Sequence, residues 1–126
     1  MLTAYLTTPM RTEYDECVAL VQYMKILISQ GVDLMYSHIA QSTYTTSWKQ
    51  KSKNKAMGVM PGVPDYIIII NQKTIFIEMK REKGGQVSKY QVNWIENLNT
   101  SGVSAYVCRG FEEAREVLDG RRKKVS

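Results

Sequence analysis

Asp65, Glu78 and Lys80 are the residues of this sequence whose types and spacing could do chemistry together. Asp65 follows Pro64 at the head of a short β-branched run, and Glu78-Met79-Lys80 closes a second one. The two runs, 66–70 and 74–78, joined at Asn71, Gln72 and Lys73, read as a β-hairpin. A hairpin turn reverses the chain, so the far ends of its strands come side by side and Asp65 meets Glu78. Glu78 and Lys80 are two apart on one strand and share a face. Two acids and one base then stand at one end of a sheet whose neighbouring residues are strongly apolar. Burying such acids uncompensated is costly, so a bound cation is the expected partner. Hard oxygen ligands suit Mg²⁺ or Mn²⁺ better than zinc. The plainer alternative is that Asp65 begins a strand after a turn and Glu78 with Lys80 forms a weak same-face ion pair.

The elements that must position these groups follow from periodicity. Residues 12–30 read as a helix, with Thr12 as N-cap, Glu13, Asp15 and Glu16 in the first turn, and Gly31 as the stop. Cys17, Leu20, Val21, Met24, Leu27 and Ile28 share one apolar stripe. At roughly 100° per residue, Glu13 lies about 25° from the stripe centre, Glu16 about 80° away and Asp15 on the opposite side. Glu13 is therefore the carboxylate expected to aim inward. Residues 32–40 read as a strand. Residues 41–62 show no sustained period, and Lys49, Lys51, Lys53 and Lys55 alternate with polar residues. In a strand these lysines share a face; in a loop they form a cationic arm or simply a solubilising segment.

The run Ile67–Ile70 implies an inner strand buried on both faces, in a sheet covered by helices. After Gly84 and Gly85, residues 88–100 show helical spacing, with Val87, Gln91, Trp94, Ile95 and Leu98 near one face and Trp94 expected in the core. Ser88 and Gln91 also form an S-x-x-Q capping box at that helix start. Residues 103–108 read as a strand and 111–118 as a helix, followed by a basic tail. The order αβββαβα describes a small α/β domain, here a single unit over 1–126 with its core at about 12–118 and the tail at 119–126. His38, the one histidine, reads as a hydrogen-bonded core or edge residue. Cys17 and Cys108 read as reduced core residues.

The order Pro64-Asp65, twelve residues, Glu78-Met79-Lys80 resembles the PD-(D/E)xK nuclease core. Pro61-Gly62-Val63-Pro64-Asp65, Phe76-Ile77-Glu78-Met79-Lys80, Gly84-Gly85, Ser88, Gln91 and Gly102 narrow the resemblance to the VRR-Nuc (virus-type replication-repair nuclease) branch, in particular its small stand-alone phage-type members. The resemblance implies a restriction-endonuclease-like central mixed β-sheet flanked by helices. It implies Asp65, Glu78 and the main-chain carbonyl of Met79 as metal ligands, and Glu13 as a helix glutamate reaching the metal through water, ahead of Glu16. It assigns Lys80 to the attacking water and Gln91 to the helix after the core. The family's Asn after the strand that contains His38 has no counterpart here. Phosphodiester hydrolysis giving a 5′-phosphate and a 3′-hydroxyl follows by the same resemblance, with Holliday-junction resolvases, which work as homodimers, as the similar case.

Composition agrees with this chemistry. The 126 residues carry 17 Lys and Arg against 12 Asp and Glu. Residues 1–48 carry −2 and residues 49–126 carry +7, a concentrated field suited to a polyanion. Lys49, Lys51, Lys53, Lys55, Ser88 and Trp48 are the candidate DNA contacts, Trp48 by stacking. At 44% hydrophobic and 23% charged, the chain is far from disordered or fibrous composition. Its apolar runs are too short for a membrane span, and residues 1–10 lack the pattern of a secretory signal, so a cytoplasmic protein is expected. The function expected is metal-dependent DNA endonuclease activity, structure-selective on branched DNA. A non-catalytic binding module of the same fold and a sequence-specific restriction-type enzyme are the alternatives.

Overall fold

The computed structural model describes residues 11–40 and 45–122. Residues 1–10, on which the expectation of no secretory signal rests, and residues 123–126 of the basic tail lie outside the described residues. The elements are α1 (Glu13–Ser29), β1 (Leu34–His38), α2 (Trp48–Ala56), β2 (Tyr66–Ile70), β3 (Lys73–Lys80), α3 (Lys89–Thr100), β4 (Ser104–Arg109) and α4 (Phe111–Asp119). Among the described residues the strands form one mixed sheet in the order β1-β2-β3-β4. The first two pairings are antiparallel and β3 pairs with β4 in parallel, which requires the crossover that α3 supplies.

The core follows from the alternation of β2 and β3. Tyr66, Ile68 and Ile70 sit opposite Ile77, Ile75 and Lys73. The apolar members of this face pack under Leu20, Met24 and Leu27 of α1 and Ala114 and Leu118 of α4. Ile67 and Ile69 face the other way and are half-buried, so the Ile run is fully buried on one face rather than two. Among the described residues that second face is covered by α3, which packs chiefly on β4. For the same reason Trp94 is half-buried instead of core, and its Nε1 donates to the Pro61 carbonyl at 3.0 Å. Cys108 is buried as expected, whereas Cys17 is only half-buried.

Several boundaries shift for local physical reasons. The hairpin turn has two residues, Asn71 and Gln72, both at positive φ (50° and 69°), so β3 already begins at Lys73. Two successive left-handed residues form a two-residue turn whose backbone twist matches that of the flanking strands. The lysine segment is neither strand nor loop. It is the helix α2, capped by Ser47, whose side chain accepts from Gln50 N, and braced by a Gln50 to Asn54 hydrogen bond of 2.7 Å. Lys, Gln and Ala favour helix without needing an apolar stripe, and Lys53 and Lys55 stand at the favourable end of its dipole. The order is therefore αβαββαβα. Among the described residues no helix is long and apolar enough to cross a membrane.

Candidate metal and active site

The β2–β3 register, with Tyr66 opposite Ile77, carries Asp65 alongside Glu78 at the end of the hairpin. Asp65 is fixed from two sides. Its Oδ2 accepts from Met79 N at 2.7 Å, and its carbonyl accepts from Ile39 N at 2.6 Å. The loop leading to it is pinned to α3: Gly62 has φ +88°, and a Cβ there would lie 2.5 Å from the Tyr90 carbonyl carbon. Only glycine permits both that dihedral and that approach. With the Trp94 to Pro61 bond, this holds residues 61–65 against the helix that also presents Gln91.

Glu78 is 1% exposed. Its Oε2 accepts from Gln91 Nε2 at 3.0 Å and lies 3.6 Å from Lys80 Nζ, while its Oε1 is buried with no hydrogen-bond partner. One carboxylate oxygen each from Glu13, Asp65 and Glu78 lies within 4.8 Å of the others. Burial first, then the charge of Asp65 and the hydrogen bond Asp65 accepts from the protonated acid, and least the Glu13 carboxylate, push the Glu78 pKa up to about 8 against the opposing pull of Lys80. A cluster of acids that repel one another around an unpartnered buried oxygen fits a divalent cation. An all-oxygen donor set fits Mg²⁺ or Mn²⁺.

Glu13 and Glu16 exchange the burial that helix periodicity assigns them. Glu13 is exposed on the first turn of α1, although its carboxylate reaches the cluster. Glu16 is buried and engaged elsewhere: it accepts from Phe111 N and pairs with Arg11. The first turn of α4 packs beside α1 and needs an acceptor because its N-cap, Gly110, has no side chain. Glu16 supplies that acceptor. A Cβ on Gly110 would lie 2.8 Å from its Oε2, so the glycine keeps the approach open.

Ser88 and Gln91 form the full capping box of α3. Gln91 uses its Oε1 for the cap and its Nε2 for Glu78, so the helix terminus orients a carboxylate of the cluster. Ser88 Oγ is occupied by Gln91 N. His38 is exposed and meets the Tyr66 ring edge-on at 5.1 Å. Met79 is buried between Glu78 and Lys80. Trp48 and the four lysines are on α2, outside the carboxylate cluster.

One participant escapes sequence reasoning. Arg109, opposite Lys80 in the β3–β4 register, donates from Nη1 to the Gly85 carbonyl at 2.6 Å. A Cβ on Gly85 would touch Lys80 Cβ at 3.5 Å, so the glycine backbone lies along the lysine stem. Arg109 thereby pins the loop that covers Lys80, which is 8% exposed. No periodicity or motif marks it; the contact arises only when β4 docks in parallel on β3.

The VRR-NUC domain profile matches residues 11–112, most of the chain. The chain belongs to the VRR-NUC family. Two solved structures have the same fold: a VRR_NUC domain protein with TM-score 0.70 and 23% identity, covering 90% of this chain and 89% of its own, and a VRR_NUC domain with TM-score 0.56 and 14% identity, covering 86% and 97%. No curated protein matches the chain. The matched span of the VRR-NUC domain contains Glu13, Asp65, Glu78, Lys80 and Gln91, and the nuclease-type α/β core with its mixed four-stranded sheet is the one the resemblance implied.

Proposed function

We propose that this VRR-NUC protein is a metal-dependent DNA endonuclease, a single domain acting on branched DNA. The observation that carries the reading is the convergence of three carboxylates around the buried, unpartnered Glu78 Oε1, with Lys80 beside them. Asp65, Glu78 and the Met79 carbonyl would hold Mg²⁺ or Mn²⁺, with Glu13 reaching it through water. A divalent cation supplies charge neutralisation at the phosphate and a more acidic water. Lys80, confined by Glu78 and by the Gly85 backbone, orients the attacking water in line with the phosphorus. Gln91 keeps Glu78 turned toward the cluster. In-line displacement leaves the 5′-phosphate on one product and the 3′-hydroxyl on the other.

Branched DNA and a two-fold homodimer are inferred from two features. Among the described residues there is no separate base-reading unit beyond the one sheet and its helices, so shape is the readable property. Symmetric cutting of a junction needs two sites, which a two-fold pair supplies. Lys49, Lys51, Lys53, Lys55, Trp48 and the exposed side of Ser88 serve as DNA contacts, and the expected location is the cytoplasm. The test is cleavage of a labelled four-way junction beside its linear arms with Mg²⁺, Mn²⁺ or EDTA, by wild type and Lys80→Ala. Metal-dependent junction cutting lost in the variant supports the proposal. Binding without cutting in any metal replaces it with a non-catalytic module.

A further inference from the structure

Because α2 is a helix, its four lysines form two rows instead of one face. At about 100° per residue, Lys49 and Lys53 lie about 40° apart, Lys51 and Lys55 likewise, and the two rows are separated by about 160° around the axis. Asn54 is the half-buried residue of α2, and the other eight are exposed. Opposite Asn54, on the outermost line, stand the small residues Ser52 and Ala56, with exposed Trp48 at the near end and Lys51 Nζ 5.1 Å from its ring. The helix contains no acid. Its outward surface is thus a low ridge of small side chains between two cationic rows. The helix also adjoins the loop that leads to Asp65: Asn54, Gly58, Val59, Met60, Val63 and Trp94 line one cavity, which joins α2 to that loop and to α3.

We propose that α2 enters the major groove of a duplex DNA arm, its two lysine rows contacting the phosphates of opposite strands while Ser52 and Ala56 face the groove floor. This rests on the DNA-acting reading above and specifies the partner as duplex. A major groove about 12 Å wide admits an α-helix, whereas a minor groove about 6 Å wide does not. Long lysine stems on opposite flanks reach outward to both walls. A helix lying along a single strand would use one row and leave the other in water. Ser52 and Ala56 offer little to a base edge, so the contact is independent of sequence and positions the arm for cutting at the neighbouring cluster.

Binding can be measured without cleavage, by anisotropy of a labelled duplex in EDTA, for the wild type, Lys49→Ala/Lys53→Ala and Lys51→Ala/Lys55→Ala. All four substitutions lie on an exposed helix and raise helix propensity, so folding is preserved. Each pair removes two phosphate contacts, and the slope of log K against log salt should fall by about 1.8 in either variant. Between about 50 and 200 mM salt this is roughly a 12-fold smaller loss of affinity for each pair. Ethylation interference should map the phosphates lost in the two variants to opposite strands. Loss confined to one pair, no loss in either, or lost phosphates on one strand only would overturn the proposal. So would equal dependence on both pairs for single-stranded DNA bound as tightly as duplex. The expected slopes in a protein that cuts no DNA would sustain this inference and remove the nuclease reading.

Discussion

The protonation of Glu78 gives the most demanding check of the cluster. Burial and the adjacent Asp65 and Glu13 raise its pKa from 4.5 to about 8, so the metal-free folded protein retains a proton between those values that the unfolded chain has released. Stability then falls as pH rises from about 4.5 through about 8, because the native state binds more protons over that window. At about 1.4 kcal/mol per unit the shift sets a ceiling of about 5 kcal/mol, and solvent that reaches the cluster past half-buried Asp65 and exposed Glu13 reduces it to the order of 2–3 kcal/mol. Glu78→Gln imitates the neutral acid, can still accept from Gln91 and can donate an amide hydrogen toward Asp65. In urea unfolding with EDTA, the variant should match the wild type near pH 5 and exceed it by about 2–3 kcal/mol near pH 9. Mg²⁺ or Mn²⁺ should restore the wild type, increasingly so as pH rises, and leave the variant unchanged. A wild type that gains stability relative to Glu78→Gln between these pH values would refute the assignment of a repulsive, proton-holding cation site.

Other substitutions separate the roles of the surrounding residues. Asp65→Ala should abolish cleavage while DNA binding survives, and wild-type rates in that variant would remove Asp65 from the site. Lys80→Ala should slow single-turnover cleavage by about 10²-fold or more while metal-induced stabilisation persists; loss of that stabilisation would make Lys80 structural. Arg109→Met should release the Gly85 loop, raise the acylation of Lys80 several-fold by mass spectrometry and slow cleavage by on the order of tenfold, with unchanged metal stabilisation. Continued protection of Lys80 would show that Arg109 does not hold that loop. Gly62→Ala should cost about 1–3 kcal/mol from its positive φ and its clash with Tyr90, read in urea melts, and an unchanged midpoint would contradict the packing of residues 61–65 on α3.

The amino-acid sequence determined the α/β class, the order of every element but α2, the hairpin and the meeting of Asp65, Glu78 and Lys80, because each depends on short-range periodicity and on the two-residue repeat of a strand. The Ser88–Gln91 cap was legible for the same reason: its partners are three residues apart. The helix α2 was not, since a polar segment without an apolar stripe carries no period, and only its cap and backbone propensity give it form. Burial of Glu16 rather than Glu13 depended on α4 arriving beside α1 from 95 residues away, with a backbone N–H in need of an acceptor. Arg109 reached Gly85 only after β4 had paired in parallel with β3. The sequence thus set which carboxylates could meet, whereas tertiary packing decided which of them stayed unpartnered, because burial and competition for hydrogen bonds belong to surfaces that local spacing does not contain.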